Sequence, residues 1–336
     1  MARPVWSSSN VISTRSNSVI LERISVSDFS HETLRQVLAE KAQHKVNWLE
    51  RHSEKILAES VDPASLQGID LCWSKVHGKV MLQFGCLSVW VGIDGHKKTS
   101  VMTQILSFAA RDHVVGMASF EMDLRALGSL MVQQATGAEA PSPELTKKFL
   151  DWSKEKILVY DHVGTVKPIE VYALIIKMAR DHGAKLIVID CLQMIAGVCG
   201  DNENERAFIS MLVQLAKAYE CHIVVVHHSR KPDRGGDEYI PTRFDTMGSS
   251  SISQLSSVLA IVWSDKKKDH YRDRLEQGGE LTEDEEEYMS RPDTRIIIAK
   301  NRHLPWEGTI GLWQHPSRQF LPTKNSQRMF FNEELS

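Results

Sequence analysis

The chain has few cysteines and no long apolar run. Its 336 residues include five cysteines, which are scattered and form no CxxC pair. An odd number of dispersed cysteines argues against a disulfide framework or a zinc site and favours a reducing compartment. No apolar run approaches the roughly 20 residues that span a bilayer, so we expect no membrane partner.

An excess of either charge is also missing. The 40 Lys and Arg residues nearly balance 43 Asp and Glu residues, which leaves a net charge of −3. This balance gives no overall attraction to nucleic acid, so any DNA site must be a local basic patch. The composition is that of a soluble globular protein, and the length fits one large domain with an appendage or two modest domains.

The N-terminal part has the composition of a tail followed by a helix. The first 21 residues are rich in serine and lack acids, which fits an organellar transit peptide, a disordered tail or the stub of a truncated preceding domain. We favour an irregular tail over residues 1–29. Apolar residues at helical spacing then predict a helix over 30–58, within a segment 30–63, whose stripe packs on its own domain or on a neighbouring subunit.

From about residue 68, short apolar runs alternate with helical patterns. Runs that are apolar on both faces and separated by helices predict an α/β domain over 64–325, with a mostly parallel sheet flanked by helices. The predicted strands cover residues 86–91, 114–118, 157–160, 186–189, 223–226, 258–262 and 295–299. A charged insertion, 265–293, predicts a solvated, mobile hairpin or loop, and residues 326–336 a C-terminal tail.

Residues 92–99 have the character of a phosphate-binding loop, because they follow a strand and precede a helix. Gly92 and Gly95 allow a curled backbone, while Lys98 and Thr99 supply the ammonium for outer phosphates and the hydroxyl for Mg²⁺. Lys97 stands where the standard pattern has glycine, which lets the backbone approach phosphate without a Cβ. We therefore expect Lys97 to weaken nucleotide binding or to distort the loop.

Acids follow two of the predicted strands. Asp190 ends one strand and could hold the water shell of Mg²⁺, although many strands end in aspartate simply as a turn residue. Glu121 follows another strand, where it could polarise an attacking water. Alternatively, Ser119 and Glu121 form a helix N-cap with an acid in the first turn.

Basic residues and histidines follow two further strands. Of His227 and His228, one could contact a γ-phosphate, or the two could be a hydrogen-bonded pair at a strand end. Lys300 and Arg302 alternate after the strand at 295–299, which suits an arginine finger that acts across a subunit boundary. A solvated basic turn is the alternative.

Taken in order, these motifs resemble the replicative hexameric helicases of the DnaB type, most closely the Twinkle and phage primase-helicase branch. The resemblance covers about residues 68–322 and depends on the order of the phosphate loop, SFEM, a strand ending in DCLQ, VVVHH, GSSS and KNR. It implies a RecA-like P-loop NTPase domain that assembles as a ring, with ATP between subunits and single-stranded DNA in the central channel.

The resemblance also implies roles for individual residues. Lys98 and Thr99 would be the ligands of the nucleotide, ATP or another NTP, and of Mg²⁺, and Asp190 the second metal-associated carboxylate. Glu121 would be the catalytic base and His228 the γ-phosphate sensor. Arg302 would be the finger of the neighbouring subunit, with Lys300 as its companion. The other implied residues of the nucleotide loop are Gly92, Gly95, Lys97 and Ser100.

Residues 230–251 resemble the DNA-binding loop of that family. Small residues there let backbone N–H groups reach phosphates, and basic residues supply charge. The candidate DNA contacts are Arg230, Lys231, Arg234, Arg243, Gly248, Ser249 and Ser250. Trp313 and His315 are candidate adenine contacts, although a core role explains Trp313 equally simply. The helix at 30–58 resembles the linker helix that docks on the next subunit.

The implied function is an ATP-hydrolysing, ring-forming replicative DNA helicase, hexameric and translocating 5′ to 3′ on single-stranded DNA. One alternative is a hydrolysis-impaired, DNA-binding ring subunit, because of Lys97, and another is a RecA-type recombinase or loader. We expect the chain to be too short for a fused primase, so a separate primase or loader is a candidate partner. The implied location is the cytoplasm of a bacterial or phage-infected cell, with the mitochondrial matrix as the alternative.

Overall fold

The computed structural model describes residues 29–41, 49, 53, 66–229, 238–245 and 250–331. Within these residues the strands are β1 (Gly68–Asp70), β2 (Met81–Gln83), β3 (Leu87–Gly92), β4 (Val115–Ser119), β5 (Ile157–Tyr160), β6 (Leu186–Asp190), β7 (His222–His228), β8 (Val258–Ser264), β9 (Thr294–Asn301), β10 (Gly308–Gln314) and β11 (Phe320–Leu321). The α-helices are α1 (His31–Lys41), α2 (Lys98–Ala109), α3 (Leu124–Thr136), α4 (Pro143–Ser153), α5 (Pro168–Ile176), α6 (Asn202–Tyr219), α7 (Ser250–Leu255), α8 (Lys266–Glu276) and α9 (Glu283–Ser290).

Nine of the described strands form one sheet in the order β11-β10-β9-β8-β3-β7-β6-β4-β5, and β1 pairs with β2 separately. The six strands from β8 to β5 are parallel, while β9, β10 and β11 extend the sheet in antiparallel fashion. The predicted α/β fold with a mostly parallel sheet is confirmed. Each of the seven predicted strands is present, with its ends shifted by at most two residues.

Helices cover the sheet on both faces, which explains why its central strands are apolar throughout. On β3, Trp90 packs into one core with α2, α3 and α4, whereas Val89 and Val91 pack into the other with α1, α5 and α6. Alternate residues of a strand point to opposite faces, so a strand buried on both sides needs apolar residues at every position.

The N-terminal helix is described only as α1. Its apolar residues Leu34 and Val37 are buried in the same core as Tyr172 and Phe208 of the same chain. Of the two alternatives for the stripe, the described part therefore packs on its own domain. The rest of the predicted helix lies outside the described residues, apart from Leu49 and Ser53, as does the predicted tail before Phe29.

The charged insertion 265–293 is helical, and the prediction of a solvated hairpin or loop is wrong. It forms α8 and α9, whose N-termini are capped by the side chains of Asp265 and Thr282. Lys268 is fully buried and donates to the Met289 carbonyl and to the Asp293 carboxylate, both at 3.1 Å. Caps and a buried ion pair thus fix a segment whose charge suggested only solvation.

The end of the described chain has no helix or strand from Ser326 to Phe331, as the predicted C-terminal tail implies, yet it packs against the domain. Gln319 donates to the Met329 carbonyl at 2.5 Å and accepts from the Met329 amide at 3.0 Å. Phe331 is buried, with its ring edge against Phe108. None of the helices in the described ranges has both the length and the apolar character that crossing a membrane requires.

His222 makes the stability of the fold depend on pH. It is fully buried, with Nδ1 2.7 Å from the Gln83 carbonyl and Nε2 2.9 Å from Ser88 Oγ. Burial lowers the pKa of His222 to about 4, although the contact with Gln83 opposes the shift. In the unfolded chain the pKa is about 6.5, so between these values only the unfolded state binds the proton.

We therefore expect the free energy of unfolding to fall by about 2 kcal/mol from pH 7 to pH 5 through His222 alone. Urea unfolding at pH 7 and pH 5 should show that the free energy of unfolding falls by about 2 kcal/mol less in His222→Gln than in the parent. His31→Gln, a change of an exposed histidine on α1, should keep the loss of the parent. An identical loss in the parent and His222→Gln would contradict the assignment.

Candidate functional site

The candidate site lies where β3, β7, β6 and β4 end at one edge of the sheet. These strands are parallel neighbours, and their register sets Gly92 opposite His228. Asp190 lies opposite Val226 on one side and Ser119 on the other. Polar residues that are far apart in sequence therefore meet along this edge, as in other open parallel sheets.

The loop after β3 requires its two glycines for different reasons. A Cβ on Gly92 would lie 2.4 Å from the Val262 carbonyl oxygen, so no larger residue fits there. Gly95 has a φ of +75°, a left-handed conformation that side chains disfavour. The curled loop leads directly into α2, whose N-terminal N–H groups and dipole suit an anion.

Lys97 adopts the left-handed conformation itself, with φ +62° and ψ +25°. For a residue other than glycine this conformation costs roughly 1–2 kcal/mol. Its Nζ donates to Gln314 Oε1 at 2.5 Å and lies 3.7 Å from Asp269 Oδ1, so the side chain extends toward β10 and α8. Burial lowers the pKa of Lys97, and Asp269 opposes the shift. Lys97 thus joins the loop to the charged insertion, a contact that the sequence did not indicate.

The next two residues of the loop face a buried carboxylate. Thr99 Oγ1 donates to Asp190 Oδ2 at 2.7 Å, and Lys98 Nζ donates to the Ile93 carbonyl at 3.0 Å. Asp190 is 1% exposed, and burial raises its pKa to about 6 while the Thr99 hydrogen bond opposes the shift. Burial likewise lowers the pKa of Lys98, and Asp190 opposes this. A hydroxyl beside a carboxylate is an oxygen pair suited to Mg²⁺.

Ser100 lies in the first turn of α2, and its carbonyl accepts from Thr103 Oγ1 at 3.0 Å and from Gln134 Nε2 at 2.9 Å. These contacts connect α2 to α3 beneath the loop. The structure therefore brings together the residues predicted for the nucleotide loop, although the side chain of Lys97 extends toward Gln314 and Asp269.

Glu121, Cys191 and His228 form a second group at the same edge. Cys191 Sγ donates to Glu121 Oε1 at 3.0 Å, and His228 Nε2 lies 3.7 Å from the same oxygen. Burial lowers the pKa of His228, with Lys98 adding to the shift and Glu121 opposing it. The Glu121 side chain is 41% exposed, so its carboxylate faces the open edge. Sequence reasoning did not assign Cys191 to the site, although it directly follows Asp190.

Lys300 and Arg302 lie at the opposite edge of the sheet. Asn301 pairs with Val258, and Val258 pairs in turn with Ser88 near the start of β3. Ser88 lies four residues, or roughly 13 Å, from Gly92 at the other end of that strand. Lys300 Nζ donates to the carbonyls of Ser253 and Ser256, and Arg302 donates to that of Gln254, all at the end of α7. Burial lowers the pKa of Lys300 to about 8, with Arg302 adding to the shift. Neither residue joins the site of its own chain.

The DNA-contact candidates are only partly described. Arg243 is exposed in a short helical turn, with its guanidinium 4.8 Å from the centre of the exposed Phe244 ring. Ser250 is the first residue of α7. The other five candidates, Arg230, Lys231, Arg234, Gly248 and Ser249, lie outside the described residues.

Of the two adenine candidates, Trp313 lies on β10 and His315 in the turn that follows it. Trp313 Nε1 donates to the Ser290 carbonyl at 3.2 Å, and its partly exposed ring lies against the charged insertion rather than in the core. His315 Nδ1 lies 2.8 Å from Ser317 Oγ. Their role toward a nucleotide stays a prediction.

Comparisons with known proteins agree with this architecture. A family model, the DnaB-like helicase C terminal domain, matches residues 82–320. One solved ATPase domain is similar in structure, with a TM-score of 0.62 and 14% identity over 82% of this chain and 99% of that one. A DnaB-like replicative helicase, solved in a study of its interactions with primase, has a TM-score of 0.60 and 13% identity over 86% of this chain and 70% of its own.

No curated protein sequence matches the chain. At such low identities the two solved structures show the fold alone, a RecA-like ATPase domain. The family model, by contrast, covers well over half of the sequence. The chain therefore belongs to the DnaB-like helicase C-terminal domain family.

Proposed function

We propose that this chain is the motor of a ring-forming replicative DNA helicase, which hydrolyses ATP or another NTP at the edge formed by β3, β4, β6 and β7. The observation that carries the proposal is the convergence of Lys98, Thr99, Asp190 and Glu121 on this edge, with Thr99 hydrogen bonded to Asp190 at 2.7 Å. Membership of the DnaB-like family supports it. A hexameric ring, 5′ to 3′ movement and a place in the Twinkle branch are part of the same proposal.

The residues at this edge fit a magnesium nucleotide. Gly92 lets the loop pack closely against the Val262 carbonyl oxygen, and the loop leads into the first turn of α2, whose N–H groups suit an anion. Lys98 would hold the outer phosphates, and Thr99 and Asp190 would hold Mg²⁺. When bound, the metal offsets phosphate charge and orients the γ-phosphate.

Glu121 is the proposed base. Its carboxylate faces the open edge, where it can accept a proton from a water, while the Cys191 thiol hydrogen bond holds one of its oxygens in place. His228, with its lowered pKa, is neutral near pH 7 and presents Nε2 toward the same point. Residues 230–251 begin two positions after His228, so contact at His228 can be relayed to the proposed DNA loop.

We propose that a second subunit completes the site. Lys300 and Arg302 lie at the opposite edge from the loop of their own chain, so the γ-phosphate that Arg302 is proposed to contact is the one bound by a neighbour. A head-to-tail arrangement of subunits supplies this geometry and closes into a ring when the rotation permits. Negative-stain microscopy with nucleotide and single-stranded DNA tests this: we expect closed rings, whereas filaments would favour a RecA-type recombinase.

An active motor and a hydrolysis-impaired ring subunit differ in whether the loop can support ATP hydrolysis with Lys97 in place of glycine. Because its side chain points toward Gln314 and Asp269, we expect the parent to hydrolyse ATP and Lys97→Gly to change the rate by less than about fivefold. Single-turnover hydrolysis with and without single-stranded DNA measures both proteins. An inactive parent that the glycine rescues would support the impaired subunit instead.

A further inference from the structure

We propose that Glu121, Cys191 and His228 form a binding site for a thiophilic divalent cation of the zinc type, and that its occupancy blocks ATP hydrolysis. Each residue offers one ligand atom, namely a carboxylate oxygen, the Sγ and Nε2, and these atoms all lie within 4.8 Å of one another. The blocking effect depends on the proposed function, whereas the binding of the cation does not.

The spacing of the three atoms is close to that around tetrahedral zinc. Zinc bonds of 2.0–2.3 Å place neighbouring ligand atoms about 3.4–3.6 Å apart. Glu121 Oε1 is 3.0 Å from Cys191 Sγ and 3.7 Å from His228 Nε2. The third pair, Cys191 Sγ and His228 Nε2, lies within 4.8 Å, so shifts of about 1 Å or less bring all three atoms to the spacing around zinc.

The donor set favours zinc over the magnesium of the nucleotide. Sulfur, imidazole and carboxylate ligands suit Zn²⁺, whereas Mg²⁺ demands oxygen ligands. The proposed Mg²⁺ residues, Thr99 and Asp190, offer only oxygens. The two ions therefore have separate ligand sets at one edge of the sheet.

A second observation supports the site independently of the spacing. His228 Nε2 is buried and makes no hydrogen bond with any residue that the structure describes. Buried polar atoms are rarely left without a partner, and a bound ion is one of the explanations for such an atom. The ion can enter past the exposed side of Glu121, where water would supply its fourth ligand.

Binding exchanges one cation for one proton without any change of oxidation state. Cys191 enters as a thiol that donates to Glu121, and burial keeps the pKa of that thiol high. Zn²⁺ forms a bond to sulfur as the S–H bond breaks, and the proton leaves to solvent. Lys98, whose ammonium also lowers the pKa of His228, opposes the ion, while Glu121 and Asp94 favour it.

Occupancy would remove both groups on which the proposed hydrolysis depends. Zinc would take the Glu121 oxygen that accepts the proton of water, and the Nε2 of His228 that faces it. Zn²⁺ at a concentration that fills the site should therefore abolish hydrolysis, and a chelator should restore it.

The test measures metal binding directly on the full chain without nucleotide. Co²⁺ should give the intense near-ultraviolet absorption of a thiolate complex, and competition between the protein and a chromogenic chelator gives the affinity for Zn²⁺. We expect one site per chain and at least about 100-fold weaker binding in Cys191→Ser, since even outer-shell changes cost 10–100-fold. His228→Gln, which keeps the thiol, should weaken binding similarly.

Cys199→Ser is the matched control, because Cys199 is a half-buried cysteine outside this group. It should bind Zn²⁺ as the parent does. Absence of the cobalt–thiolate absorption in the parent, or unchanged affinity in Cys191→Ser and His228→Gln, would overturn the proposal. Zinc binding as expected in a protein without ATPase activity would leave the site standing and refute only the proposed function.

Discussion

Replacing Arg302 by alanine should lower DNA-stimulated ATP hydrolysis by about 10³- to 10⁵-fold, the usual value of an arginine finger. Nucleotide binding should change little, because the residues proposed to hold the nucleotide lie at the other edge of the sheet from Arg302. Single-turnover hydrolysis gives the first quantity and titration with a fluorescent nucleotide the second. Loss of both would instead indicate a role in folding or assembly.

A mixing experiment distinguishes a finger supplied by a neighbour from one that acts within its own chain. Arg302→Ala and Glu121→Gln subunits are each inactive alone, yet a mixed ring contains interfaces with an intact glutamate and an intact arginine. In a random equal mixture about a quarter of the interfaces are complete, so partial activity should return. No recovery in verified mixed rings would contradict action across the interface. Arg111→Ala, an exposed arginine after α2, should behave as the parent does.

The Glu121→Gln change should itself reduce hydrolysis by about 10²- to 10⁴-fold, because an amide cannot accept the proton of water. The side chain keeps its size, and Lys98, Thr99 and Asp190 are unchanged, so nucleotide should still bind. The same two assays apply, with Glu144→Gln on the exposed start of α4 as the control. Hydrolysis within about fivefold of the parent would show that another group is the base.

The central strands could be predicted from the sequence because burial on both faces demands unbroken apolar runs. Strands β10 and β11 were missed, since β10 mixes exposed and buried residues and begins with a glycine. The helices of the insertion were not predicted because charged residues dominate this segment, whereas the helix caps and the buried ion pair that stabilise it are tertiary features. Only the structure shows that Lys268 is buried against Asp293.

The placement of the site follows from topology, and for that reason it too could be predicted. Parallel strands end at one edge, so residues that follow them must converge. Side-chain directions are not predictable in this way. Lys97 reaches Gln314 across 217 residues of sequence. The contact between Cys191 and Glu121, and the turn of Lys300 toward the end of α7, likewise depend on tertiary packing.

The most direct test of a DNA helicase motor is strand displacement on duplexes that carry a single-stranded tail at one end only. We expect the parent, with ATP and Mg²⁺, to release the strand when the tail is 5′ and to leave a duplex with only a 3′ tail intact. Glu121→Gln should release neither. A parent that hydrolyses ATP in response to DNA yet displaces no strand from either substrate would contradict the helicase function.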